Sequence, residues 1–96
     1  MAIAYKTVSD EEAQIRRLVR RVLKRRRLPL VVGSDVELGE DSTEQPAVWI
    51  VLTVDPRSKL TKSELGQINE LARSIKTEIF QNNFGRQPYV RLRTAA

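Results

Sequence analysis

Residues 47–54 read AVWIVLTV, from Ala47 to Val54, and form the longest apolar run of the chain. Val48, Ile50, Leu52 and Val54 share one parity; Trp49, Val51 and Thr53 share the other. A strand turns successive side chains to opposite faces, so both faces of this one are largely apolar, which suits a covered central strand. Two amphipathic helical patterns and two weaker strands flank it, and each needs a surface to pack on.

Upstream, Ser9-Asp10-Glu11-Glu12 has the S-x-x-E pattern of a capping box, with its acids at the positive end of the helix dipole. Ile15, Leu18, Val19, Val22 and Leu23 then follow at the i, i+3, i+4, i+7, i+8 spacing of one apolar helix face. Arg17, Arg20, Arg21 and Lys24 fall on the opposite face, with Arg16 and Arg27 flanking the stripe on one side and Arg25 on the other. Arg26 returns to the stripe, and Pro29 disfavours helical geometry at Leu28, so the helix is predicted to close there.

Residues 30–38 read as a strand with Leu30, Val32, Val36 and Leu38 facing in and Val31, Asp35 and Glu37 facing out. Gly33-Ser34 interrupts the alternation and is read as a bulge. GEDSTEQP, residues 39–46, is a polar turn-rich loop.

Downstream, Asp55-Pro56-Arg57-Ser58 is a turn, and Thr61-Lys62-Ser63-Glu64 is a second capping box with Leu60 and Leu65 placed as a hydrophobic staple. Leu65, Ile68, Leu71, Ala72, Ile75 and Ile79 make one continuous stripe that predicts a helix to about Gln81. Asn82, Asn83 and Gly85 tolerate the left-handed backbone of a helix end. PYVRLR, residues 88–93, is a short last strand with Val90 and Leu92 inward and Tyr89, Arg91 and Arg93 outward.

The fold expected is α+β: a two-layer sandwich of α-β-β-α-β order, with a three-stranded sheet and both helices on one face. That face would carry Val32, Val36, Val48, Ile50, Leu52, Val90 and Leu92. The 96 residues make one domain, 1–96, with residues 1–8 as a lead-in. The edge taken by the last strand is left open. The element order resembles the KH-type fold of ribosome-binding factor A, and IRRLVRRVL of the first helix is similar in character to it. The resemblance is one of element order and covers most of the chain; the GxxG loop of KH domains has no counterpart in this sequence, and a shared fold does not by itself carry function.

Composition narrows the chemistry. Cysteine and histidine are both absent, which removes thiolate nucleophiles, disulfides, the usual neutral-pH proton shuttle and the commonest transition-metal ligands. An enzyme is therefore not expected, nor a cofactor or metal. Gly33-Ser34-Asp35-Val36-Glu37 has a faint likeness to the nucleotidyltransferase signature, with two carboxylates on one strand face. In that signature a helical stretch separates Gly-Ser from the acids, and here they adjoin, so ordinary solvent-facing carboxylates are the simpler reading.

The formal net charge is +5, yet eight of the 17 basic residues lie between Arg16 and Arg27. The other nine face 12 acidic residues, so the rest of the chain is net −3. A basic helix face of Arg17, Arg20, Arg21 and Lys24 suits phosphates or an acidic protein. It also suits a solvated face answering the acids at Asp35, Glu37, Glu40, Asp41 and Glu44.

A second candidate surface is the uncovered sheet face with Trp49, Tyr89, Arg91 and Arg93. Aromatics interleaved with arginines serve either to stack bases or to form a protein interface. Segment 1–8 could also fold over Trp49. The reading is a small cytoplasmic binding module that takes nucleic acid, RNA first, through the arginine helix. The alternatives are an acidic protein partner or self-association through the sheet as a homodimer. No membrane partner is expected.

Overall fold

In a computed structural model, which describes residues 8–95 and side chains from Asp10 onward, five elements follow in the expected order. They are α1 (Val8–Arg26), β1 (Val31–Glu40), β2 (Pro46–Val54), α2 (Lys62–Gln81) and β3 (Gln87–Thr94). β2 is the central strand: it pairs with β1 antiparallel and with β3 parallel. The position left open in the sequence is thus settled, with β3 on the far side of β2 from β1.

Ile15, Leu18, Val19 and Val22 of α1 and Leu71, Ile75 and Ile79 of α2 bury in one cluster with Val36, Val48, Ile50 and Leu52. Both helices therefore lie on the same face of the sheet, and their apolar stripes drive the packing. Removing such side chains from water supplies most of the folding free energy of a chain this size. α1 ends at Arg26, ahead of Pro29, as its sequence requires. It begins at Val8, which places Ser9 inside the first turn; the expected Ser9 side-chain cap lies outside the described residues. At α2 the cap is complete. The Thr61 hydroxyl accepts from the Glu64 N–H, and the Glu64 carboxylate accepts from the Thr61 N–H. The Glu64 carboxyl is held below its ordinary range by the Ser58 hydroxyl first and then by the Thr61 N–H.

Three expectations need correction. The bulge falls between Val31 and Gly33, where the β1–β2 register shifts. The extra residue reverses the parity ahead of it, so Val31 packs against the core while Val32 is 55% exposed. Leu92 has the inward parity, yet it is 45% exposed on the edge strand β3. Leu60 and Leu65, placed as a staple, are both exposed.

Candidate interaction surface

The face of the sheet turned away from the helices is set by strand parity and register. Asp35, Val51 and Arg91 form one row across the strands. Glu37, Trp49 and Tyr89 form the next, and Gly33, Thr53 and Arg93 a third. The face thus runs from acidic on β1, through apolar on β2, to basic on β3. This order depends on which edge β3 takes, so it could not be seen in the sequence.

The Trp49 ring is fixed from several sides. It stacks on Tyr89 with ring centroids 5.9 Å apart and 21° between planes. The Arg91 guanidinium lies 5.7 Å from its centroid, a cation–π contact. On the β1 side it rests on Gly39, where a Cβ would come within 3.0 Å of the ring. A side chain at 39 would require the indole to give way by a few tenths of an ångström, a role that no local sequence pattern marks. Arg93 donates to the Thr53 hydroxyl at 3.2 Å.

The Tyr89 hydroxyl donates to Asp41 Oδ2 at 3.0 Å, joining β3 to the β1–β2 turn. Asp41 is already the organiser of that turn: its Oδ1 accepts from the Thr43 hydroxyl and from the N–H groups of Thr43 and Gln45. Together these donors, the Thr43 hydroxyl foremost, hold the Asp41 carboxyl down at about 2. The same bond raises the Tyr89 phenol above its ordinary value.

Asp35 is held from the other layer. Arg16 reaches from α1 to β1, donating to Asp35 Oδ1 at 2.7 Å and to the Val36 carbonyl at 3.0 Å, while its other contacts go to Glu12. The Asp35 carboxyl is lowered chiefly by Arg16, then by the Val36 N–H, with a smaller effect from Arg93. Glu37 is exposed and makes no hydrogen bond or ion pair among the described residues. The pair of carboxylates considered as magnesium ligands does share a face, but one of the two is already bound to a guanidinium. No group of three or more potential metal-binding side chains occurs among the described residues.

The arginine face lies on the opposite side of the molecule. Arg17, Arg20, Arg21 and Lys24 are all exposed there, and Arg17 folds back onto the Ala13 carbonyl. The two sets of predicted site residues are therefore not brought together: Trp49, Tyr89, Arg91 and Arg93 converge, while the helix residues stand apart from them behind the sheet. The helix answers the acidic hairpin through Arg16 and Asp35, and Arg25 pairs instead with Glu78 of α2. A groove of about 440 Å³ opens beside the hairpin, lined by Asp41, Phe80, Phe84, Arg86 and Tyr89. Its charged members are already hydrogen-bonded to the protein. None of the described helices is long and apolar enough to cross a membrane.

No protein-family profile matches the chain, and no curated protein does. Solved structures do match in shape. A structure from work on the mode of action of the putative zinc transporter CzrB is 14% identical, with a TM-score of 0.60 over 94% of this chain and 99% of that one. The copper form of the MamM CTD is 16% identical, with a TM-score of 0.52 over 92% and 89%. The likeness is one of fold. It corrects the expectation of a nucleic-acid, and specifically RNA, ligand, because the structures that share this architecture come from work on a putative zinc transporter and on the MamM CTD in a copper form. The geometry agrees with the correction. A base-stacking platform sets aromatics among cations, whereas here Asp35 and Glu37 share the face with Trp49 and repel phosphate.

Proposed function

We propose that this chain is a non-enzymatic protein-interaction domain that associates with a second copy of itself through the uncovered sheet face. The observation that carries the reading is the Trp49–Tyr89 stack, with Val51 beside it, held rigidly on a face that no helix covers. Pre-ordered aromatics flanked by charges resemble the anchors of protein interfaces, since little side-chain entropy remains to be lost on docking. The likeness in fold to domains from a putative zinc transporter and from MamM supports an accessory role of this kind.

Zinc and copper are named for those structures, and the donor set here does not fit either ion. There is no histidine or cysteine anywhere in the chain. The carboxylates on the sheet face share it with Arg91 and Arg93, which a cation would have to approach, and Asp35 is paired with Arg16. The chain thus has the shape without the ligands, and its association is expected to be independent of metal.

Sedimentation equilibrium tests the reading. A dimer that becomes a folded monomer on Trp49→Ala, with no change in mass or melting temperature on adding zinc or copper, is the expected result. A parent chain that stays monomeric at its highest soluble concentration overturns it.

A further inference from the structure

The charge order across the sheet face restricts how two copies can meet. A closed pair uses the same patch twice, related by a two-fold axis, and for face-to-face sheets that axis lies in the interface. If it ran across the strands, β1 would lie on β1 and β3 on β3. Asp35 and Glu37 would then face their own duplicates, as would Arg91 and Arg93, and like charges in a partly desolvated interface repel. If it runs along β2, the two edges exchange.

We infer that two copies pair face to face about an axis parallel to β2, with the acidic β1 edge of each on the basic β3 edge of the other. This rests on the self-association reading and specifies its geometry. Such an axis keeps each cross-strand row level. Asp35 of one copy then stands opposite Arg91 of the second, and Trp49 and Val51 meet their own counterparts near the axis. The strands of the two sheets come out nearly aligned, the usual arrangement when twisted sheets pack face to face.

The side chains are prepared for it. Asp35 commits Oδ1 to Arg16 and to the Val36 N–H, while its Oδ2 makes no hydrogen bond among the described residues. Glu37 is free in the same sense. On the opposite edge Arg91 is held over the Trp49 ring and Arg93 over Thr53, so both cations stand on the open face without a carboxylate bonded to them among the described residues. Each edge therefore meets the charge opposite to its own, and the level rows place two Asp35–Arg91 meetings across the axis.

Because the chain has no cysteine, thiol cross-linking on a clean background tests the geometry. Asp35→Cys and Arg91→Cys are made as separate proteins, mixed and treated with a bismaleimide whose reach matches the ~10 Å between packed sheets, a gap too wide for a direct disulfide. Cross-linked heterodimer in the mixture, with little from either variant alone, is the expected result. The pair Gly33→Cys and Arg93→Cys, which share another row, repeats the test should loss of the Arg16 partner disturb folding. Cross-linking of Asp35→Cys or Arg91→Cys with itself overturns the axis but keeps the sheet-face dimer. A dimer by sedimentation that neither mixture traps overturns the geometry and the choice of face together. A parent that sediments as a monomer overturns the self-association itself.

Discussion

Arg86 and Glu11 stand 75 positions apart in the chain and 2.6 Å apart in the fold, Nε to Oε1. Their side chains are only 15% and 18% exposed. The same guanidinium donates to the Gly39 carbonyl at 3.0 Å and the Ala47 carbonyl at 3.1 Å. One side chain thus joins the first helix, both strands of the hairpin beside its turn, and the connection into β3. Arg86→Met should lower the unfolding free energy by about 2 kcal/mol or more, because it strands a half-buried carboxylate and two carbonyls. Glu11→Gln in that background should recover part of the loss, as urea unfolding of the four-member cycle would show. Arg86→Lys should rescue poorly, since an ammonium cannot span three acceptors as a guanidinium fork does.

The reversed parity around the bulge gives a paired prediction. Val36→Ala should cost about 2 kcal/mol, as expected for truncating a buried aliphatic side chain. Val32→Ser should fall within about 0.5 kcal/mol of the parent, since Val32 is exposed. Equal losses at the two sites would mean that the register shift is misplaced.

Glu44 has a φ of 61°, a left-handed backbone in a side chain that gains nothing from it. Glu44→Gly should stabilise the domain by up to about 1 kcal/mol. Thermal melts at matched concentration would show it as a rise of a few degrees.

Titration should separate Asp41 from the other carboxylates. Its folded value of about 2 lies below the ordinary 3.8, so its contribution is complete above about pH 4 and is lost as pH falls through 2. Tyr89 shifts upward, so its contribution is present below pH 10 and is lost as pH rises through the folded value. Asp41→Asn should bring the Tyr89 phenolate transition back toward its ordinary position, followed by ultraviolet absorbance.

Gly39→Ala should act on Trp49 from across the hairpin. The new methyl would meet the indole at 3.0 Å, so the ring must tilt away from β1. The expected signature is a shift in tryptophan emission and weaker self-association, with a small change in stability.

The framework of the fold was legible because its signals are local. The alternation in residues 47–54, the stripes at Ile15–Val22 and Ile68–Ile79, and the Thr61 capping box each specify an element without knowledge of the others. That Trp49, Tyr89, Arg91 and Arg93 share one sheet face followed from parity alone. Val32 was misplaced because a bulge inserts its extra residue within the Val31–Gly33 stretch and not at the glycine itself. Arg86 was missed because a single arginine in a polar loop carries no local pattern; its partners come from three other parts of the chain. The charge order of the face waited on the position of β3, and the arginine helix misled because clustered charge marks a solvated or paired face as readily as a phosphate site.

The parallel pairing of β3 with β2 has a consequence in time. β2 cannot gain its second neighbour until α2 has crossed the sheet, and the residue that secures α1 stands just ahead of the last strand. During synthesis the first helix and the hairpin leave the ribosome long before Arg86 does. The domain can therefore close only once β3 has emerged, and a nascent chain stalled within α2 would expose Trp49 without its Tyr89 cover, a ready substrate for chaperones.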